Sequence, residues 1–122
     1  MPTVLVVDDT LFMRTAISNM LQEWGLEVVA QAANGKEAVA MYKEHSPDLV
    51  TMDLTMPVMS GLDALKIIIQ DDPEAKIIMI TALGKQQNIV EALESGAKDF
   101  ITKPFQPEKL KEVVFNVLKI SH

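Results

Sequence analysis

Apolar runs and amphipathic segments alternate along the whole chain. Continuous runs rich in β-branched residues are typical of strands buried on both faces of a sheet, whereas apolar residues three and four positions apart are typical of helices. By these criteria, strands are predicted at residues 4–7, 28–32, 49–52, 77–80 and 100–102. Helices are predicted at residues 11–24, 37–45, 62–69, 89–93 and 107–118, and Asn34-Gly35 is predicted to form a turn.

The order of these elements indicates the fold. A strand and a helix follow each other five times, and short connections of this kind require right-handed crossovers and a parallel sheet covered on both faces. Five units are too few to close an eight-stranded barrel. We therefore predict an α/β fold with five helices and a five-stranded, doubly wound parallel sheet of flavodoxin-like order 2-1-3-4-5. Residues 1–122 are expected to form a single domain, and the lack of a linker after Ile120 favours a complete protein.

Composition narrows the classes of function. The 122 residues contain no cysteine, which excludes disulfides and thiolate metal sites. The net charge is −6 and no run of lysine and arginine occurs, so direct binding to nucleic acid is not expected. No apolar stretch approaches the roughly 20 residues of a membrane span, and the N-terminus carries no secretory signal. A cytoplasmic, monomeric protein without membrane insertion is therefore expected.

Polar residues follow the predicted strands at the edge where ligands bind in such sheets. The first strand ends at Asp8-Asp9, the third at Asp53, the fourth at Thr81 and the fifth at Lys103. Ligands bind where the strand order reverses, which places three carboxylates together with a hydroxyl and an ammonium group. Each close carboxylate pair costs about 4 kcal/mol at 4 Å with an effective dielectric constant near 20. A shared proton or a divalent cation would relieve this repulsion, and aspartates with open water positions suit Mg²⁺. The same set fits attack of a carboxylate on phosphorus to give an aspartyl phosphate.

Four segments of the chain resemble a known family. The segments VLVVDD, MDLTMPVMSGLDAL, IIMITA and DFITKPF are similar to the four signatures of response-regulator receiver domains, in the same order and with similar spacing. The resemblance covers essentially the whole chain. It implies a two-component signalling protein that accepts a phosphoryl group from a sensor histidine kinase and then changes its binding to a partner.

The resemblance also implies a role for each matching residue. Asp53 is the phosphoacceptor. Asp9, Asp53 and the backbone carbonyl of Thr55 would bind Mg²⁺ directly, and Asp8 would act on the metal through water.

Further roles fall on the last two strands. Lys103 would contact the phosphoryl group, and the Lys103-Pro104 peptide bond would be cis, a form that is rare outside Xaa-Pro. Thr81 and Phe100 would be the paired switch residues. Phe100 lacks the hydroxyl of the tyrosine found in many receivers, so its switching would depend on packing, and a plain core role for Phe100 is an equal alternative.

The segments DDTLFMR and KDFITKPFQP resemble those of stand-alone chemotaxis regulators of the CheY type. This resemblance implies a CheA-like kinase as phosphoryl donor, and the flagellar motor switch protein and a phosphatase as further partners. Thr55 and Leu83 stand where fast-hydrolysing relatives carry amide and acidic side chains. We therefore predict slow self-hydrolysis, and no enzymatic activity beyond the protein's own phosphorylation and dephosphorylation.

Several alternatives remain open from the residues. Asp8-Asp9 could be a helix N-cap region. A phosphatase of the haloacid dehalogenase type would need Asp-x-Asp, but Thr10 occupies the second acidic position. An FMN carrier would need a hydroxyl-rich and glycine-rich loop where this chain has two acids. A receiver that acts without phosphorylation is disfavoured by the intact acid, hydroxyl and lysine set, and a receiver excised from a larger regulator is a further alternative.

Overall fold

The computed structural model describes residues 1–82, 84 and 86–121, and in these residues strands and helices alternate as predicted. The strands are β1 (Thr3–Val7), β2 (Glu27–Ala32), β3 (Leu49–Asp53), β4 (Ile77–Ala82) and β5 (Asp99–Lys103). The helices are α1 (Leu11–Glu23), α2 (Gly35–His45), α3 (Gly61–Asp71), α4 (Gln86–Glu94) and α5 (Pro107–Leu118). None of the helices in this described part of the chain has both the length and the apolarity needed to cross a membrane.

The strands form one parallel sheet in the order β2-β1-β3-β4-β5, which confirms the predicted topology. Successive side chains of a strand point to opposite faces. In β1, Leu5 and Val7 therefore pack on the face covered by α2, α3 and α4, whereas Val4 and Val6 pack on the face covered by α1 and α5. Helices thus cover both faces of the sheet, and β1 is buried between them.

The carboxyl ends of β3 and β4 extend beyond the predicted apolar runs. Asp53 pairs with Ile80, and Thr81 pairs with Thr102 in the hydrogen-bonded ladder. Polar residues interrupt the apolar pattern, but their backbone groups continue the ladder. Asp53 and Thr81 are therefore carried on the strands themselves rather than on the loops that follow.

The prediction of a turn at Asn34-Gly35 is wrong. Asn34 is the N-cap of α2, and its Oδ1 accepts a hydrogen bond from the Glu37 N–H at 2.9 Å. Gly35 is the first helical residue, and its N–H donates to the Met59 carbonyl at 2.9 Å. A Cβ on Gly35 would lie 2.5 Å from that carbonyl oxygen. The glycine therefore serves close packing between α2 and the loop after β3.

Candidate phosphorylation and metal site

The functional side chains predicted from the strand ends lie at one edge of the sheet. Asp8 follows β1, Asp53 is the last residue of β3, Thr81 lies in β4 and Lys103 is the last residue of β5. β1 pairs with β3 on one side and with β2 on the other, so the strand order reverses here. The parallel direction of the strands brings residues that are far apart in the chain to this edge.

Three carboxylates form the centre of the site. Asp8, Asp9 and Asp53 each offer an oxygen, and these oxygens lie within 4.8 Å of one another. The Lys103 Nζ donates to Asp8 Oδ2 at 2.9 Å and to Asp53 Oδ2 at 3.2 Å. Among the described residues, Lys103 is the one cation paired with these acids, so three negative charges face one positive charge.

The two neighbouring acids differ in how firmly they are held. Asp8 is buried, its Oδ1 accepts from the Thr10 N–H at 2.9 Å and from the Thr10 hydroxyl at 3.0 Å, and its Oδ2 accepts from Lys103. Asp9 is exposed, and its side chain accepts no hydrogen bond from the part of the chain that is described. The Asp9 carboxylate is therefore available to a ligand that enters from solvent.

Asp8 contributes to the entry into α1 as well as to the acidic cluster. The N-cap of α1 is Thr10, whose hydroxyl accepts from the Met13 N–H at 3.3 Å. The same hydroxyl donates to Asp8, as described above. The N-cap interpretation of the acid pair therefore describes part of what Asp8 does, through Thr10, and is compatible with a role in the site.

Asp53 lies in a partly desolvated position with opposing electrostatic influences. Burial raises the pKa of Asp53 above its ordinary value of 3.8, while the charge and the hydrogen bond of Lys103 lower it and the charge of Asp8 raises it. Burial lowers the pKa of Lys103, but the hydrogen bond to Asp8 and the charges of Asp53 and Asp8 outweigh this effect, and the pKa is raised. Lys103 therefore remains protonated at neutral pH, as a contact to an anion requires.

The donor set fits a hard divalent cation. Carboxylate oxygens with open water positions are the ligands that Mg²⁺ prefers, and the cluster has more negative charge than Lys103 balances. The Thr55 N–H donates to Asp53 Oδ1 at 3.4 Å, so the backbone turns toward the Asp53 carboxylate directly after β3. The Thr55 side chain is exposed.

Thr81 and Phe100 line the same cavity. The cavity has a volume of about 300 Å³, and α4 contributes Ile89, Val90 and Leu93 to its walls. Thr81 is buried, and its hydroxyl donates only a long hydrogen bond of 3.4 Å to the Ala82 carbonyl. Phe100 is 36% exposed, so the structure does not place it in the closed core.

The remaining predicted site residues are placed as follows. The Lys103-Pro104 peptide bond is cis in the structure. Leu83 lies outside the described residues. The pattern of the sequence did not single out Thr10, which holds Asp8, or Gly61, whose backbone lies against the Asp53 carbonyl. Spacing alone offered a weak signal for Gly61, because it follows Asp53 and Pro57 at the end of the loop that leads into α3.

Comparison with known proteins gives a consistent picture. The family model described as response regulator receiver domain matches residues 4–115. The chain is 54% identical over 115 residues to the chemotaxis protein CheY of Bacillus subtilis, and the match covers 94% of this chain and 96% of that protein. The chain is 52% identical over 116 residues to the CheY of Thermotoga maritima, and the match covers 95% of this chain and 97% of that protein.

A solved structure supports the same likeness. The crystal structure of the CheX–CheY–BeF3–Mg²⁺ complex from Borrelia burgdorferi contains a chain that matches with a TM-score of 0.91 and 41% identity. The match covers 94% of this chain and 87% of that chain.

Proposed function

Because the chain belongs to the response regulator receiver domain family, we propose that it is a phosphorylation switch of two-component signalling that acts in chemotaxis. The observation that carries this proposal is the Asp53 carboxylate, held by Lys103 at 3.2 Å beside two further carboxylates. The relatives named chemotaxis protein CheY match over nearly their whole length, which supports a role in chemotaxis.

Asp53 is the phosphoacceptor in this proposal. One of its carboxylate oxygens attacks phosphorus of a phosphohistidine on a sensor kinase and forms the O–P bond. The P–N bond of the donor breaks, and its electron pair stays on the imidazole nitrogen. Asp53 must be ionised to attack, and the nearby Lys103 ammonium favours that form. Lys103 then contacts the transferred phosphoryl group as a positive point charge.

Mg²⁺ is the cofactor that this set of residues would hold. Asp9, Asp53 and the backbone carbonyl of Thr55 are its proposed direct ligands, and Asp8 acts through water because Lys103 and Thr10 already occupy its oxygens. When bound, the cation offsets negative charge that would otherwise repel the phosphoryl group.

Thr81 and Phe100 form the proposed switch. The Thr81 hydroxyl donates only a 3.4 Å hydrogen bond and is therefore free to turn toward a phosphoryl oxygen. The cavity between Thr81 and α4 has room for an inward movement of Phe100. Such a movement reshapes the face formed by α4, β5 and α5, and a partner that prefers the new face binds better by population shift.

The proposed partners follow from the same family. A CheA-like kinase supplies the phosphoryl group, and the flagellar motor switch protein reads the phosphorylated state. The solved complex of a related CheY with CheX supports an additional partner of the phosphatase class. We propose that self-hydrolysis is slow because the exposed Thr55 has no acid or amide to orient water. Rapid decay of the purified phosphoprotein with Mg²⁺ and no other protein would contradict this part.

Intact mass after incubation with Mg²⁺ and acetyl phosphate tests the phosphoacceptor. Wild type is expected to gain one phosphoryl group, and Asp53→Asn is expected to gain none. Asp71→Asn is the matched control, since Asp71 is an exposed aspartate at the far end of α3. Undiminished phosphorylation of Asp53→Asn would refute the assignment.

Thr81→Ala tests the switch separately from the chemistry. The variant is expected to be phosphorylated like wild type but to bind a peptide of the motor switch protein no better after phosphorylation. A full gain in peptide affinity on phosphorylation of Thr81→Ala would show that the coupling does not pass through this hydroxyl.

A further inference from the structure

Arg14 is the one arginine in the sequence, and the proposed chemistry does not use it. It is the fourth residue of α1, at the end of the first turn of the helix. Side chains of a helix lean toward its N-terminus, so the Arg14 side chain reaches back over the entry of α1. Its Nη1 donates to the backbone carbonyl of Asp8 at 2.7 Å.

A second contact fixes the guanidinium from the side. Arg14 Nε donates to Gln31 Oε1 at 3.3 Å, and Gln31 Nε2 donates to the hydroxyl of the buried Ser18 at 3.3 Å. Gln31 belongs to β2 and Ser18 to α1, so the guanidinium, which is carried by α1, is linked to β2 and through Gln31 back to α1. A planar guanidinium can serve two acceptors in fixed directions, which a lysine ammonium on a flexible stem does less well.

The carbonyl that Arg14 holds belongs to the peptide that joins Asp8 to Asp9. The Asp8 side chain is fixed independently by Thr10 and Lys103, and the Asp8 N–H donates to the Ala32 carbonyl at 3.1 Å. The Asp9 carboxylate has no protein contact of this kind among the described residues. Its direction therefore depends on the orientation of the preceding peptide.

We propose that Arg14 is a positioning residue that holds the Asp8–Asp9 peptide so that the Asp9 carboxylate faces the metal site formed with Asp8 and Asp53. The proposal rests on the function proposed above and assigns a new role within the same site. Arg14 does not touch the metal or the phosphoryl group in this scheme. Partners that orient a ligand typically change metal affinity by about 10–100-fold when removed.

The direction of the change in Mg²⁺ affinity on replacement of Arg14 distinguishes a positioning role from a purely electrostatic effect of its charge. A positive charge near a cation site opposes binding of Mg²⁺, so removal of the Arg14 charge by itself should strengthen binding. Loss of the orienting contact should weaken it. The two explanations therefore predict opposite changes in Mg²⁺ affinity for Arg14→Met.

Titration calorimetry with MgCl2 and no phosphodonor tests the proposal. Arg14→Met is expected to weaken Mg²⁺ binding about tenfold, the lower end of the range for such partners. Arg14→Lys keeps the charge and is expected to weaken binding as well. Gln31→Val leaves the net charge unchanged and removes the contact that anchors the guanidinium, together with the hydrogen bond to Ser18, so a smaller loss in the same direction is expected. Lys98→Gln removes one charge near the start of β5, at the opposite edge of the sheet, and should leave the affinity unchanged.

Urea unfolding without metal provides the readout for a purely structural role. If Arg14 only stabilises the fold, the variants lose stability but the folded protein binds Mg²⁺ as wild type does, and the proposal is overturned. Equal or tighter Mg²⁺ binding by Arg14→Met overturns it too. If Arg14→Met does not fold, Gln31→Val provides the test, because Gln31 is exposed. Mg²⁺ affinity of Gln31→Val equal to that of wild type overturns the positioning role of Arg14. Absence of Mg²⁺ binding by wild type would instead refute the metal site itself.

Discussion

Gly61 provides a direct test of how closely α3 packs on the strand that carries the phosphoacceptor. A Cβ built on Gly61 would lie 2.0 Å from the Asp53 carbonyl oxygen and 3.1 Å from the Leu54 Cα. These are backbone atoms, which cannot turn away as a side chain can. The Gly61 N–H also donates to the Leu54 carbonyl at 2.8 Å, which holds the helix start in place.

Gly61→Ala is therefore expected to be strongly destabilising. Overpacking commonly costs 1–3 kcal/mol and sometimes more, and a contact with rigid backbone should lie at about 3 kcal/mol, the upper end of that range. With an unfolding entropy of roughly 2.1 cal/mol/K per residue over 122 residues, this free energy corresponds to a fall in Tm of about 12 °C.

Gly25→Ala is the matched control. Gly25 has φ +87° after the end of α1, and a Cβ there meets no atom within 4 Å. Alanine at Gly25 therefore has only the conformational penalty of the left-handed region, about 1–2 kcal/mol. The comparison separates lack of space from backbone conformation.

Thermal unfolding followed by circular dichroism measures both variants, and intact mass after treatment with acetyl phosphate reports the site. Gly61→Ala should unfold at a lower temperature than Gly25→Ala and, below that temperature, should be phosphorylated more slowly because Asp53 is displaced. A Tm for Gly61→Ala at or above that of Gly25→Ala would refute the close packing of α3 on β3.

Three further predictions concern stability. The Thr51 hydroxyl is buried without a hydrogen-bond partner among the described residues, so Thr51→Val should raise the free energy of unfolding in urea by about 1 kcal/mol; a loss would imply a hidden partner. Tyr42→Phe removes a 2.7 Å hydrogen bond to Asp72 and should cost about 1.5 kcal/mol at pH 7. Burial and this hydrogen bond raise the pKa of Tyr42 above 10.0. Above pH 10, the stability of the wild type should therefore fall faster with pH than that of the variant. Equal pH dependence of the two stabilities would contradict the raised pKa. Burial raises the pKa of Asp53 above 3.8. The protonated Asp53 carboxyl therefore contributes favourably to the free energy of unfolding at low pH, and this contribution is lost as pH rises through the raised pKa. Asp53→Asn should therefore gain stability relative to wild type between pH 4 and pH 7, and a constant difference would argue against a raised pKa.

The acid pair shows how a small site combines rigidity with access. Asp8 is buried and bound on both carboxylate oxygens, whereas its neighbour Asp9 faces solvent. Asp8 is therefore held in place before any ligand binds, and the Asp9 carboxylate remains free to bind a ligand. Orientation of such a free side chain must come from the backbone, which gives the contact between Arg14 and the Asp8 carbonyl its importance.

The pattern of apolar residues determined the order of the elements and the topology of the sheet. Because all strands of a parallel sheet run in one direction, that order was sufficient to bring Asp8, Asp53, Thr81 and Lys103 to one edge. The apolar runs stop short of the observed strand ends, although Thr81 was correctly placed at the end of the fourth strand, and the turn predicted at Asn34-Gly35 was wrong because Gly35 begins a helix. In both cases the backbone hydrogen bonds, which hydrophobic periodicity does not report, decided the outcome.

Only the tertiary structure decided which contacts form at that edge. The shared hydrogen bonds of Lys103, the reach of Arg14 to the Asp8 carbonyl, the contact of Gly61 with Asp53 and the cavity beside Phe100 all depend on distances between separate elements. Such distances result from rotamers and helix packing in three dimensions, whereas periodicity along a chain specifies only which face of an element is buried.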